Sequence, residues 1–422
     1  MTQLPNNQVT NFMHYDLIVI GMGLSGLMAA KTAVEMGKKT LIIGKGMGSI
    51  GLFSNTIDLL GDLPKGMKLK NGLSQWVKGH PQHPYSKVGV EGVEEALSSF
   101  LSLFPEPYSF RSVNEENALI PTGAGTFRPA YLVPVTMAAG AFLKEGDGLI
   151  VGFKGFKDFF APYVGDQLRC RAITLPISDS FQSTSQGFTA TAVARLMEKE
   201  RFREKMGQEI KHQLHNETRV GFPAVLGIRD PSRVMKHLKE ILGVEIFEIP
   251  TLPPSIPGLR IFNRFKEWLI EKGGTLLLGH SVSGAVLKER RCKSIEVLHP
   301  PVSTSYSSDR YILATGRFLE GGLVAKEERI VEPLFDLPVH QPRSREDWFG
   351  KSFSGEHPIY RAGILTDSSL RPVDENGNLI LENVWVAGTI LAHHHSINEK
   401  SKEGIEIATG YAAAKEAFDA LK

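Results

Sequence analysis

The hydrophobic pattern near the amino terminus predicts a strand, a tight glycine turn, a helix and a second strand. Residues 16–20 (Asp-Leu-Ile-Val-Ile) form a β-favouring run, as in a strand that is buried on both faces of a parallel sheet. Residues 24–36 are mostly small and apolar, which predicts a helix that Gly37 ends. Residues 40–43 (Thr-Leu-Ile-Ile) predict the next strand. The chain therefore opens with a βαβ unit.

A second alternation of strands and helices begins near residue 148 and ends near residue 250. Four short apolar runs predict strands, at residues 149–151, 172–175, 224–226 and 244–247. Three longer segments predict helices, at residues 156–168, 189–214 and 233–242. This stretch has no phosphate-binding loop of its own, so we expect it to shape a substrate cleft or a partner surface.

From residue 259 onward the pattern predicts that the first unit resumes. Strands are predicted at residues 275–278, 310–313 and 383–386, and helices at residues 262–271 and 405–421. Strands alternating with helices indicate an α/β fold with a parallel sheet. The middle stretch is then an insertion into that fold.

Composition and charge exclude several classes of partner and of metal site. Hydrophobic residues make up 42% of the chain and charged residues 22%, which is ordinary for a folded globular protein. The formal net charge is +2, so nucleic acid is not expected as a partner. Cys170 and Cys292 stand far apart, and two isolated thiols cannot build a zinc site or an iron–sulfur cluster.

Several features predict a cytoplasmic protein. No apolar run reaches the roughly 18 residues that a membrane-spanning helix needs. Residues 1–16 contain no Lys or Arg before the first apolar run, so no signal peptide is expected. The low cysteine content suits a reducing compartment. Peripheral attachment to a membrane complex is left open.

Residues 21–26 (Gly-Met-Gly-Leu-Ser-Gly) follow the first strand and open the first helix. Glycines with this spacing permit a tight turn, close approach of the backbone to a pyrophosphate, and packing of the helix on the strand. The amino end of the helix offers unpaired N–H groups to the phosphates. A dinucleotide or flavin cofactor is therefore expected. Its predicted contacts here are Gly21, Gly23, Leu24, Ser25 and Gly26.

These features together predict an α/β protein with a Rossmann-like flavin-binding domain, which has a parallel sheet and the βαβ unit at its amino end. The domain is expected in two parts, residues 1–130 and residues 259–422, and the second part includes the closing carboxy-terminal helix. Residues 131–258 are expected to form the inserted α/β domain.

An acidic residue that usually binds the adenosine ribose is missing. It is expected about 20 residues after the first glycine, at the end of the second strand, where this chain has Gly44-Lys45. A lysine cannot accept hydrogen bonds from ribose hydroxyls, and it favours a phosphate. Either the ribose is held by other groups, or the cofactor has no adenosine half. Lys45 is therefore a predicted cofactor contact.

The next segment, residues 46–55, carries three glycines with interleaved hydroxyl and amide side chains. Such a loop can lie against a flat or phosphorylated ligand and offer it N–H groups. A flexible surface loop is the alternative interpretation. The predicted contacts in this segment are Gly48, Ser49 and Ser54.

Several blocks resemble one family, the B-subunit of the anaerobic glycerol-3-phosphate dehydrogenase. The blocks are Phe53-Ser-Asn-Thr-Ile-Asp-Leu-Leu60, His83-Pro-Tyr-Ser86, Thr251-Leu-Pro-Pro-Ser255, Ala314-Thr-Gly316, Gly321-Gly-Leu-Val-Ala325 and Glu332-Pro333. The resemblance implies a flavoprotein of the large FAD-dependent oxidoreductase architecture, which also includes fumarate reductase. It implies oxidation of sn-glycerol 3-phosphate to dihydroxyacetone phosphate, with electrons passed toward quinone. It also implies two partners, a larger catalytic flavin subunit and a cysteine-rich, membrane-associated iron–sulfur subunit.

The resemblance implies FMN as the cofactor, whereas the glycine pattern at residues 21–26 favours FAD. Related flavoproteins carry Gly-Asp where this chain has Gly388-Thr389, and a glycine-rich turn where it has residues 392–404. Gly404 is the glycine of that turn that remains. The further predicted cofactor contacts are Gly316, Gly388, Thr389 and Gly404.

Histidines and arginines supply the remaining candidates. His393 and His394 are candidates for proton transfer at a flavin, together with Arg317 after the Ala-Thr-Gly turn. No metal site is expected, because adjacent side chains of an extended loop point in opposite directions. Arg128 and Arg260 lie in family-like segments and are candidates to bind the substrate phosphate.

The leading hypothesis is a flavin subunit of a glycerol-3-phosphate:quinone oxidoreductase, located in the cytoplasm or on the inner face of the cell membrane through its partners. Substrate oxidation on this chain and on the larger partner are both left open. Two rival hypotheses are a stand-alone flavin oxidoreductase of the fumarate reductase type and a non-catalytic scaffold that has lost its flavin.

Overall fold

The computed structural model describes residues 14–64, 66–177, 187–299, 302–353 and 355–419. Most of the segment on which the signal-peptide expectation depends, residues 1–13, lies outside them. The strands are β1 His14–Ile20, β2 Thr40–Gly44, β3 Phe110–Arg111, β4 Ala118–Pro121, β5 Phe127–Ala130, β6 Val133–Pro134, β7 Gly148–Phe153, β8 Arg171–Leu175, β9 Arg219–Pro223, β10 Glu245–Ile249, β11 Thr275–Leu278, β12 Ser281–Lys288, β13 Arg291–His299, β14 Val302–Leu313, β15 Val324–Ala325, β16 Ile330–Val331, β17 Val339–His340, β18 Gly363–Ile364 and β19 Val384–Val386. The helices are α1 Leu24–Glu35, α2 Leu69–Gly79, α3 Pro84–Val88, α4 Val90–Leu101, α5 Ala161–Gln167, α6 Ala190–Met197, α7 Glu200–Gln213, α8 Pro231–Leu242, α9 Ile256–Glu271, α10 Ser396–Glu399 and α11 Lys402–Asp419.

The larger sheet contains strands from both ends of the chain. Its parallel part has the order β11-β2-β1-β14, and β19 pairs in parallel with the last residues of β14. Strands β13 and β12 extend it in antiparallel fashion. Leu17, Ile18 and Val19 of the central strand β1 have no exposed surface. Burial on both faces explains why this strand is apolar at consecutive positions.

A second sheet of four parallel strands, in the order β10-β9-β7-β8, forms the inserted unit. It has its own apolar core between residues 149 and 256. The predicted fold class, a Rossmann-like α/β fold with an inserted α/β unit, is confirmed. The exact domain boundaries, at residues 130 and 258, stay predictions. No helix in the described ranges is long and apolar enough to cross a membrane.

Two local predictions in the inserted unit are wrong. Residues 224–226 do not form the predicted strand, because β9 ends at Pro223 and the Leu226 N–H donates to the buried Glu248 carboxylate at 2.8 Å. The predicted helix at residues 189–214 is two helices, α6 and α7. Between them the Glu198 carboxylate accepts the N–H groups of Ile228 and Arg229 at 2.8 and 2.6 Å. Both deviations arise from side chains that bind distant backbone groups.

A buried ion pair joins the inserted unit to α9. The Arg260 guanidinium donates to both oxygens of the Glu248 carboxylate at 2.6 and 2.8 Å, and to the Gly227 carbonyl at 2.8 Å. The two side chains are 3% and 0% exposed. The Arg260 guanidinium is therefore bonded within the protein, which argues against its predicted role as a substrate contact.

Replacing Glu248 with Gln is expected to destabilise the protein by about 3–5 kcal/mol, because it leaves the buried Arg260 charge without a counter-ion. The matched control is Glu245→Gln, which removes an exposed pair with Lys239. Its expected cost is about 0–1 kcal/mol. Urea denaturation followed by circular dichroism measures both. Equal losses in the two variants would contradict the prediction.

Candidate functional site

The glycine turn after β1 brings three backbone segments into direct contact. Gly21 has a φ of +114°, and a Cβ at this position would lie 2.1 Å from the carbonyl oxygen of Ala314, just after β14. A Cβ on Gly26 would lie 2.0 Å from the carbonyl oxygen of Gly21. No side chain fits at either position. The turn, α1 and the end of β14 therefore pack backbone against backbone.

Gly23 differs, because no heavy atom of the described residues lies within 4 Å of a Cβ built there. It is the N-cap residue of α1, and no side chain caps the first N–H groups of this helix. A Cβ built on Gly46, in the loop after β2, also meets no heavy atom within 4 Å in the described residues. The first turn of α1 can therefore donate its N–H groups to an anion that approaches over Gly23.

A cavity of about 490 Å³ begins at this turn. The carboxyl ends of β1, β2 and β14 and the loop after β2 form its walls, and Glu406 of α11 closes one side. It thus extends from the amino-terminal turn to the carboxy-terminal helix. Eight predicted cofactor contacts line it: Gly21, Gly23, Ser25, Lys45, Gly48, Ser49, Gly316 and Thr389.

Five predicted contacts do not line this cavity: Leu24, Gly26, Ser54, Gly388 and Gly404. The first two belong to the packing of α1 on β1. At Gly388 and Gly404 the space for a side chain is filled, by Ser25 Oγ at 2.4 Å and by Tyr85 Oη at 2.2 Å from the Cβ position. These glycines permit close packing, and their predicted cofactor contacts stay predictions. Ser54 lines a second, smaller cavity.

The sequence interpretation missed part of the cavity wall. His280, Ser281 and Val282 line it beside Lys45, and residues 319–322 and Glu332 line it beyond β14. Gly321 and Glu332 lie in segments already quoted for the family resemblance, so that signal could have identified them. Residues 280–282 carry no motif. They lie at the cavity because β11 pairs with β2 and the chain turns there.

One buried hydroxyl in the cavity wall, that of Thr315, has no hydrogen-bond partner within the described ranges. An unpaired buried hydroxyl costs about 1–3 kcal/mol, and a ligand in the cavity would pair it. The open N–H groups at Gly23 and the ammonium of Lys45 are suited to phosphate. These donors fit a flavin nucleotide cofactor, with Lys45 and the first turn of α1 at its phosphates.

Helix α11 brings buried charges to the other end of the cavity. Lys402 Nζ donates to both carboxylate oxygens of Glu406, at 2.8 and 2.9 Å. Burial raises the pKa of Glu406 to about 7, Glu403 adds to this shift, and Lys402 opposes it. A carboxyl group at the cavity edge can therefore take up or release a proton near neutral pH.

Arg317 binds main-chain carbonyls and does not line the cavity. Its guanidinium donates to the carbonyls of Thr389 at 2.5 Å, Leu391 at 3.1 Å and His394 at 3.3 Å, and also to that of Tyr360. Burial lowers the pKa of Arg317 to about 10. Arg317 therefore fixes the loop after β19. Because these carbonyls occupy its N–H groups, few donors remain for a reacting group.

The three consecutive histidines are directed at different neighbours. The His393 ring lies 4.4 Å from that of His340, and the His394 ring lies 6.2 Å from that of His83, measured between centroids. Neither residue lines the cavity of 490 Å³. Burial lowers the pKa of His393 to about 4 and that of His394 well below its usual value. Burial therefore favours the neutral form of both rings, and both lie away from this cavity.

One cluster in the described ranges has metal-ligand spacing, at Glu200, Glu204 and His237. Arg203 Nε donates to His237 Nδ1 at 3.1 Å, and Arg233 lies 3.7 Å from the Glu200 carboxylate. The cluster lies on the surface of the inserted unit, and arginines already engage two of its groups. It is a network of surface charges.

Arg128 lines the second cavity, where its guanidinium pairs with the buried Asp58 carboxylate. The Thr56 hydroxyl donates to the same carboxylate at 3.0 Å. Burial raises the pKa of Asp58 to about 7, and the charge of Glu403 adds to this, while Arg128 and Thr56 act in the opposite direction. Of the two predicted substrate contacts, Arg128 therefore reaches a cavity and Arg260 does not.

The raised pKa of Glu406 predicts how stability depends on pH. Its value is about 7 in the folded protein against 4.5 for the free side chain, so the folded state binds the proton more tightly. This contribution is fully present below the unfolded value and is lost as the pH rises through about 7. The melting temperature of the cofactor-free protein should rise when the pH is lowered from about 8 to about 6.

The variant Glu406→Gln should flatten part of this dependence, because it removes one of two buried carboxyl groups, Glu406 and Asp58, whose pKa is raised to about 7. Glu416→Gln is the matched control, as it makes the same change on the same helix away from the cavity. Differential scanning fluorimetry across the pH range measures the slopes. Parallel curves for wild type and Glu406→Gln would refute the assignment.

Comparison with known proteins identifies the family. Residues 16–405 match the FAD binding domain family. The chain is 30% identical to the probable anaerobic glycerol-3-phosphate dehydrogenase B-subunit of Halobacterium salinarum, over 96% of this chain and 98% of that protein. It is 29% identical to the B-subunit of the anaerobic glycerol-3-phosphate dehydrogenase of Vibrio cholerae, over 96% of both chains.

Among solved structures, 3-ketosteroid delta1-dehydrogenase from Sterolibacterium denitrificans aligns with 97% of this chain and 100% of its own, at 11% identity and a TM-score of 0.46. The family match covers most of the chain, and the resemblance inferred from the sequence blocks is confirmed. The expectation of FAD agrees with this match, whereas FMN finds no support in it. The chain belongs to the FAD binding domain family and, within it, to the B-subunit family of the anaerobic glycerol-3-phosphate dehydrogenases.

Proposed function

We propose that this chain is the FAD-binding subunit of an enzyme that oxidises sn-glycerol 3-phosphate to dihydroxyacetone phosphate and passes the electrons toward quinone. The observation that carries the proposal is the continuous cavity between the glycine turn at residues 21–26 and Glu406 of α11. The relatives from Halobacterium salinarum and Vibrio cholerae carry the name of this dehydrogenase. Their names supply the proposed substrate.

FAD is favoured over FMN because the cavity continues beyond the phosphate turn. Past Gly21 and Gly23 it is lined by Lys45 and then by residues 280–282. This part gives an adenosine half somewhere to lie. The Ser281 hydroxyl offers a hydrogen-bonding group there, at the end where the usual ribose acid is missing.

The residues of this chain would bind the cofactor and exclude water from it. The N–H groups of the first turn of α1 and the Lys45 ammonium would hold the phosphates. The hydroxyls of Thr315 and Thr389 would bind the polar chain of the flavin. Bound FAD supplies the acceptor for the hydride that leaves carbon 2 of the substrate. The proton of the substrate hydroxyl must pass to a base as the hydride leaves.

The proposal includes two partners, a larger flavin subunit and an iron–sulfur subunit that reaches the membrane. It also includes a cytoplasmic location, with contact to the inner face of the cell membrane made through those partners. Both parts are supported by the family resemblance and by the subunit names of the relatives.

Gly23→Val tests the cofactor site. Gly23 has an extended backbone with φ of −74°, which any residue adopts, and its side-chain direction is open. The variant should fold, but the new side chain would occupy the path of the phosphates. We expect the affinity for FAD to fall by about tenfold or more, measured by fluorescence titration of the apoprotein.

The matched control is Gly79→Val, because a Cβ at Gly79 also meets no heavy atom within 4 Å and the residue lies away from the cavity. It should bind FAD like the wild type. Acid extraction and chromatography of the wild-type protein should release FAD in a ratio near one per chain. Release of FMN alone would contradict the assignment of FAD, and a chain that binds no flavin would favour the scaffold hypothesis.

The substrate is tested by anaerobic reduction of the bound flavin. We expect sn-glycerol 3-phosphate to bleach the visible flavin band, and succinate to leave it unchanged. If bleaching requires the larger subunit, the chain relays electrons and the partner oxidises the substrate. Reduction by succinate instead would support the alternative of a fumarate reductase type.

A further inference from the structure

A second cavity of about 210 Å³ lies where the flavin-binding unit meets the inserted unit. Thr56 and Arg128 line it on one side, and Asp158 and Thr251 of the inserted unit line it on the other. It shares no lining residue with the larger cavity. Its volume is below the roughly 300–1,000 Å³ of sites for drug-sized ligands. A ligand of this cavity is therefore a small molecule.

The cationic group of this cavity, the Arg128 guanidinium, is held by a carboxylate that does not line the cavity. The Arg128 side chain is 33% exposed, and it pairs with Asp58, whose side chain has no exposed surface. Asp58 is itself fixed by the Thr56 hydroxyl at 3.0 Å. Within the described ranges no second acceptor binds the Arg128 guanidinium. Its other N–H donors are therefore available to a ligand, and a guanidinium fork is suited to a phosphate.

The remaining walls carry groups of a different kind. Asp158, Thr251 and residues 120–124, which include Thr122, line the cavity. Carboxylate and hydroxyl oxygens accept hydrogen bonds from alcohols, whereas a carboxylate repels a phosphate. A ligand with one anionic end and neighbouring hydroxyl groups matches these walls. A purely apolar ligand or one with several anionic groups does not.

Helix α11 lies close to both cavities, because its first turn contacts Asp58 behind the wall of the small cavity and Glu406 lines the larger one. The Gly404 N–H donates to the Asp58 carbonyl at 3.0 Å. Glu403 is 2% exposed, and one of its carboxylate oxygens has no partner within the described ranges. Further along the same helix, Glu406 lines the larger cavity. The small cavity therefore lies beside the helix end that closes the proposed cofactor cavity.

From these contacts we infer that the small cavity is the substrate site and binds a small phosphorylated polyol, with its phosphate on Arg128 and its hydroxyls toward Asp158. Asp58 is a positioning residue, because it contacts the guanidinium and is shielded from the cavity. The inference rests on the proposed function, since sn-glycerol 3-phosphate is a molecule of this class.

The test is ligand binding to the flavin-loaded protein by calorimetry, with sn-glycerol 3-phosphate, dihydroxyacetone phosphate, inorganic phosphate and glycerol as probes. Arg128→Gln should weaken binding of the two phosphate esters by about tenfold or more. Arg128→Lys keeps the charge and loses the fork, so its loss should be smaller. The matched control is Arg111→Gln, an exposed arginine outside both cavities, which should bind like the wild type. Glycerol should bind weakly to every variant.

The outcomes separate this inference from the proposed function. Binding of a phosphate ester that depends on Arg128, without reduction of the flavin by glycerol 3-phosphate, would support the site and refute the function. Reduction of the flavin with unchanged binding in Arg128→Gln would refute the site and leave the function standing. If no phosphorylated probe binds the wild type, the inference is overturned.

Asp58→Asn tests the positioning role, because Asn keeps an acceptor for Arg128 but removes the charge. Binding of glycerol 3-phosphate should weaken, and in the assembled enzyme KM should rise while kcat is retained. The FAD content should not change. A purely structural role predicts joint loss of FAD and of ligand binding, and that result would overturn the assignment of Asp58.

Discussion

The site depends on close contact between backbones around the first glycine turn. Gly21 lies against the Ala314 carbonyl, Gly26 lies against the Gly21 carbonyl, and a Cβ on Gly410 would lie 2.3 Å from the Ser25 carbonyl. A side chain at any of these positions would separate α1 from β14 or from α11. The contacts bring the start of α1, the end of β14 and the helix α11 around one cavity. The first and last helices of the chain therefore share a single site.

Ion pairs lie at the larger cavity, at the small cavity and at the junction with the inserted unit. Lys402 and Glu406 lie at the edge of the cofactor cavity, and Asp58 pairs with Arg128 in the small one. These groups remain buried because each charge has a partner close by. The Glu248–Arg260 pair fixes the inserted unit to α9, and the Pro250 carbonyl packs against Gly123. The geometry of the small cavity thus depends on how the two units are joined.

Much of the fold could be predicted from the sequence because its signals are local. The apolar run at residues 16–20 and the glycine pattern at 21–26 specify a buried strand and a phosphate-binding turn, whatever follows them. The segments that failed are governed by distant partners. Residues 224–226 leave the sheet because Glu248 binds the Leu226 N–H, and α6 and α7 separate where Glu198 binds another loop. Hydrophobic periodicity contains no information about such bonds.

The sequence by itself determined the family, the glycine turn and eight of the residues that line the larger cavity, because glycine spacing constrains the local backbone. It did not distinguish the roles of its arginines, since each is a cation in a family-like segment. Only the tertiary structure showed that Arg260 forms a buried ion pair with Glu248 and that Arg317 binds main-chain carbonyls. It also showed that Arg128 lines a cavity with N–H donors that no second acceptor binds within the described ranges. The physical reason is that a cation is available to a ligand only where folding leaves its donors unpaired, and pairing is a property of the whole fold.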